Sequence, residues 1–90
     1  MAIYDELEEL TGRLTVFMIN FPESSVRLQD SIETYNRALL GLATPQTLAW
    51  IGSDMVGVRE YMLEIYNRFE ELRQELKPII ELLSKLTEPA

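Results

Sequence analysis

Ninety residues carrying fifteen Asp and Glu against eight Lys and Arg, with no histidine and no cysteine, make a small acidic chain of net charge −7. That inventory excludes disulfides, thiolate zinc sites and the commonest general base, and it offers no basic face for nucleic acid or an anionic membrane. A chain this short buries only about 60–65% of the surface its unfolded form exposes, so helix packing or association has to supply its stability.

Ile3, Leu7, Leu10, Leu14, Phe17 and Phe21 step by 4-3-4-3-4 and predict a first helix over about 2–20. The segment from Asn20 to Ser25 breaks the phase. Asn20 followed by Glu23 resembles a capping box, with Pro22 in the first turn, so a second helix is expected over 22–42. Leu28, Ile32, Tyr35, Leu39 and Leu42 carry its rhythm, and Gly41 suits its end. Thr44 as N-cap and Pro45 at the first helical position open the strongest segment. From there Leu48, Ile51, Met55, Val58, Met62, Ile65, Phe69, Leu72, Leu76, Ile79, Leu83 and Leu86 keep a 3-4-3-4 spacing without interruption. This is an a/d seam, and it predicts one helix over 45–87, roughly 60 Å long, kinked near Pro78 and followed by a loose tail at 88–90. Glu9/Arg13, Glu23/Arg27, Glu33/Arg37, Glu64/Arg68 and Glu81/Lys85 stand as i,i+4 pairs of favourable polarity. Beyond the heptads no repeat is evident.

The expected fold is therefore all-α: a helical hairpin or three-helix arrangement with a long heptad-patterned C-terminal helix, associating into a bundle. Val16, Met18, Ile19, Val56, Leu63, Ile80 and Leu82 fall off the seam and would leave apolar surface on a hairpin. That surplus predicts a homodimer or heteromer, with the chain itself and another protein as partners. The alternative is a monomeric three-helix bundle whose long helix bends near Gly52 or Gly57.

Catalysis is not expected, nor any cofactor or metal. Asp5/Glu9, Glu60/Glu64 and Glu71/Glu75 are i,i+4 carboxylate pairs that could hold a hard cation, which leaves a carboxylate-based metal protein as one alternative. All three pairs lie off the seam and fit solvated helix faces. The longest uncharged stretch, Ala38 to Ser53, is too short and too interrupted to span a bilayer. Acidic residues near the N-terminus are the wrong charge for a signal peptide, and a cytoplasmic location is expected.

Charge thins out around Trp50, where small residues would allow another backbone to approach. Trp50, Gly52, Val56, Gly57, Tyr61, Leu63 and Tyr66 are the candidate partner-binding residues, because Trp and Tyr dominate interface hot spots. A non-catalytic interaction module (an adaptor, assembly factor or inhibitor) follows.

Trp50-Ile51-Gly52 also resembles the motif of the Trp-x-Gly helical hairpins exported by type VII secretion systems, and Tyr66 with Glu70 matches that family's Tyr-x-x-x-Asp/Glu signal in form. The resemblance implies a two-armed hairpin that is secreted. The chain departs from the family in placing Thr44-Pro45, not the Trp-x-Gly, at the turn, and in continuing for twenty residues beyond Glu70.

Overall fold

Apolar residues at helical spacing draw the chain into four helices: α1 (Ala2–Asn20), α2 (Ser25–Leu39), α3 (Pro45–Arg68) and α4 (Arg73–Thr87). The structure, a computed structural model, describes residues 2–88, with side chains from Asp5 onward; Ile3 and the tail residues 89–90 lie outside the described side chains and residues. The helices run up-down-up-down. α1 and α3 each pack on both α2 and α4, so α1/α3 and α2/α4 occupy the diagonals of the bundle. Leu10, Leu14, Leu28, Tyr35, Val58, Met62, Leu76 and Leu83 are fully enclosed between them. The all-α bundle is thus present, with no strand among the described residues.

The long C-terminal helix is not. It divides at Phe69, whose φ −123° and ψ 94° are extended, followed by a 3₁₀ turn at Glu70–Leu72. Pro78, the expected kink, lies inside α4 without ending it. Periodicity could not reveal this reversal, because the turn consumes the seam positions Phe69 and Leu72 and hands the rhythm on to Leu76 unshifted. What favours it is burial. Folding back lays Leu76, Ile79 and Leu83 against α1 and α3, whereas a 60 Å rod would leave part of its seam uncovered. Arg73 secures the turn. Its Nε donates to the Tyr66 carbonyl at 2.9 Å, one of the acceptors that a helix end leaves unpaired, and its guanidinium carbon lies 4.9 Å from the Tyr66 ring centroid.

The Pro22 region also reverses the chain fully, through Phe21 at φ −130° and ψ 76°. The capping box at Asn20 does not form. Instead the buried Ser24 hydroxyl donates back to the Phe21 carbonyl at 2.8 Å. Expectations held better at the central connection. The Thr44 hydroxyl accepts from the Thr47 amide at 3.1 Å. At the end of α2, Gly41 takes φ +76°, with its amide bonded to Ala38 and that of Leu42 bonded to Arg37, a Schellman motif.

The two turns expose a relation that the heptads concealed. Adding 48 to each number of the first hairpin gives the second: Phe21 becomes Phe69, Pro22–Ser24 becomes Glu70–Leu72, and Ser25–Leu39 becomes Arg73–Thr87. Buried positions map likewise, with Leu7 on Met55, Leu10 on Val58, Leu14 on Met62, Leu28 on Leu76 and Tyr35 on Leu83. The molecule is therefore two helical hairpins of matching element order and burial, correcting the absence of a repeat. Two of the contacts between hairpins, α1/α4 and α2/α3, are equivalent seams.

Of the five i,i+4 pairs, three form: Glu9–Arg13 at 2.9 Å, Glu33–Arg37 at 3.1 Å and Glu64–Arg68 at 3.8 Å. Arg27 and Lys85 reach across seams instead, to Asp54 at 3.7 Å and Glu6 at 3.3 Å. An exposed pair on one helix contributes only a few tenths of a kcal/mol, so a less solvated partner on the next helix wins. Among the off-seam residues, Met18, Leu63, Ile80 and Leu82 are half-buried, and Val16, Ile19 and Val56 stay exposed. The four helices that a hairpin would have needed two chains to assemble come from one. No helix among the described residues is long and apolar enough to cross a membrane.

Candidate protein-interaction groove

At 100° per residue, the buried line of α3 through Ile51, Met55, Val58 and Met62 leaves two flanks. Trp50, Asp54, Gly57 and Tyr61 recur at helical spacing on the flank facing α2. Gly52, Arg59, Leu63 and Tyr66 lie on the flank toward α4, where Arg59 Nε donates to Ser84 Oγ at 2.9 Å, and Val56 lies between that flank and solvent. The structure thus brings Trp50, Gly57 and Tyr61 together and separates them from Gly52, Val56, Leu63 and Tyr66. A single patch holding all seven residues does not exist.

The α2 flank holds a polar cluster that sequence inspection missed. Asp54 Oδ2 accepts from the Ser31 hydroxyl at 2.7 Å and from the Tyr35 hydroxyl at 2.8 Å. Arg27 faces the other carboxylate oxygen at 3.7 Å and also donates to Ser31 Oγ at 3.3 Å. Its guanidinium carbon lies 5.9 Å from the centroid of the Tyr61 ring. Tyr35 is fully enclosed. Burial, then the hydrogen bond to Asp54 and its negative charge, push the phenol well above its ordinary range; Ser31 and Arg27 oppose this only in part. A clue was available, since a tyrosine on a seam must find an acceptor for its hydroxyl, and Asp54 is the one acid between Ala38 and Val58.

Gly57 belongs to the same assembly. A Cβ there would sit 2.9 Å from the outer nitrogen of Arg27, so the absent side chain leaves room for the guanidinium against α3. Gly52 has open space around it, and nothing in the structure explains it.

The matching hairpins supply an internal control. In the equivalent seam, α1/α4, the counterparts of Ser31, Tyr35 and Arg27 are Ile79, Leu83 and Glu75. Ile79 and Leu83 are buried like their polar equivalents. The counterpart of Asp54 is Glu6, whose one ion pair among the described residues is with the exposed Lys85. Apolar residues therefore suffice to build this seam, and the polar cluster is an addition that the fold does not require. Over it runs an open groove lined by Glu23, Val26, Arg27, Asp30, Trp50 and Tyr61. Val26 is 87% exposed and Trp50 46%.

The carboxylate pairs Asp5/Glu9, Glu60/Glu64 and Glu71/Glu75 are all exposed, and no three potential ligands converge among the described residues. Trp50-Ile51-Gly52 sits within the second turn of α3, and the chain folds into four helices rather than the two arms that the Trp-x-Gly resemblance implied. Compared with known protein families, curated proteins and solved structures, the chain matches none of them.

Proposed function

We propose that the chain is a non-catalytic helical interaction module, an adaptor, assembly factor or inhibitor, that engages another protein through the α2/α3 groove. One observation carries this: of two equivalent seams, only α2/α3 combines an added polar cluster with exposed Trp50 and Val26. The counterpart of Val26 in the α1/α4 seam is Gln74, which offers no apolar anchor for a partner. The polar cluster suits positioning better than chemistry, because Tyr35 is sealed from solvent and its proton is held by Asp54. Self-association is part of the proposal, with Val16 and Ile19 on the outer face of α1 as the apolar surface offered to a second copy.

Affinity capture from source cells is the test. The wild-type chain should retain a partner that Trp50→Ala loses; equal retention by both would refute the groove as the binding face. Light scattering tests the second element, and a clean 10.4 kDa monomer at micromolar concentration would remove it.

A further inference from the structure

Three features of the α2/α3 groove constrain the chemistry of what can occupy it. Its floor is occupied and neutral, since Arg27 lies against Gly57 and is faced by Asp54. Its rim is acidic: Glu23 and Asp30 are both exposed, and neither takes part in an ion pair among the described residues. Trp50 and Val26, an exposed ring and an exposed aliphatic side chain on facing helices, line the groove as well. A carboxylate or phosphate would meet two uncompensated negative charges here. A wholly apolar segment would leave Glu23 and Asp30 facing it unpaired.

We infer that the groove takes a basic segment of a partner protein, in which a Lys or Arg lies over Trp50 between Glu23 and Asp30 while a neighbouring apolar side chain covers Val26. This rests on the reading of the chain as an interaction module and adds the charge and character of the partner. The net charge of −7 acts in the same direction by steering a cation toward the protein, but the groove, not the overall charge, selects where it docks.

Trp50 is the sole tryptophan, so its emission reports on this groove alone. The probe is an 18-residue amphipathic peptide of Lys and Leu, compared with the same peptide carrying Glu for Lys. The Lys peptide should shift Trp50 emission to shorter wavelength in a saturable titration, and the Glu peptide should not. Glu23→Lys with Asp30→Lys should weaken the Lys peptide at least tenfold. Glu8→Lys with Glu81→Lys, exposed sites elsewhere with the same change in charge, should weaken it less than threefold. Equal weakening by both double variants would overturn the inference, reducing binding to general attraction by an acidic surface. Binding of the Glu peptide would also overturn it and make Arg27 the reading group. Silence of Trp50 toward both peptides would refute a basic occupant; if cell-derived partner capture still depended on Trp50, the interaction function would stand without it.

Discussion

Asp54→Ala isolates the polar cluster from the packing around it. Two hydroxyl donors and the Arg27 guanidinium face this carboxylate, and they do not suffer equally from its removal. Ser31 can turn its hydroxyl to a carbonyl one turn earlier in α2, and Arg27 is exposed enough to find water. Tyr35 is fully enclosed, with only the Ser31 hydroxyl left beside it, so its own hydroxyl becomes a buried donor without its charged acceptor. Such a group costs about 1–3 kcal/mol, and loss of the charge-assisted bond to Ser31 adds to it. The expected destabilisation is about 2–3 kcal/mol, which lowers the melting temperature of a domain this size by about 10–20 °C. Urea unfolding followed by far-ultraviolet circular dichroism measures it. Tyr35→Phe in the Asp54→Ala background should then be neutral or stabilising, giving a coupling energy of about 1–2 kcal/mol between the two sites. Glu6→Ala, the same position in the other hairpin, should change stability by less than about 1 kcal/mol, because its partner Lys85 is largely exposed. If Asp54→Ala and Glu6→Ala proved equally mild, the α2/α3 seam would not be the specialised one and the internal comparison would fail.

The elevated Tyr35 phenol makes a second prediction, at alkaline pH. In the unfolded chain it ionises near 10.0, and in the folded protein it ionises well above that, so the folded state holds the extra proton. The stabilisation is fully present below pH 10 and declines as pH rises past it, at up to about 1.4 kcal/mol per pH unit. Unfolding free energy measured from pH 8 to 11.5 should fall more steeply for the wild type than for Tyr35→Phe; parallel curves would show that Tyr35 is not held neutral. The glycines supply a third. Gly52→Ala should stabilise α3 by about 1 kcal/mol, since its Cβ meets nothing. Gly57→Ala should gain less, because the guanidinium of Arg27 must move aside. Equal gains in thermal melts would show that Arg27 does not need that space.

Local chemistry announced most of the helices before any tertiary contact was known. Heptad spacing identified most of the residues that are buried, although its members Leu42, Leu48 and Phe69 are exposed. Thr44-Pro45 and Gly41 marked the one connection whose signals are local: a side-chain cap, a fixed φ and a positive φ. The reversal at Phe69 was hidden because its turn occupies seam positions, so hydrophobic rhythm passes through it unchanged. Only the alternative of burying Leu76, Ile79 and Leu83 against α1 and α3 decides that the chain folds back there. The candidate site divides in the same way. Trp50, Asp54, Gly57 and Tyr61 share a helical face that spacing alone could show, but the contacts of Asp54, Gly57 and Tyr61 with Arg27, Ser31 and Tyr35 span 19 to 34 residues of chain. The sequence by itself determined an acidic, all-helical chain with a seam to bury and no staple beyond packing. Tertiary structure decided that two equivalent hairpins supply each other's cover, and that one of their two seams carries a half-buried carboxylate. Those are long-range pairings, and periodicity along a helix records which face is apolar without recording what lies against it.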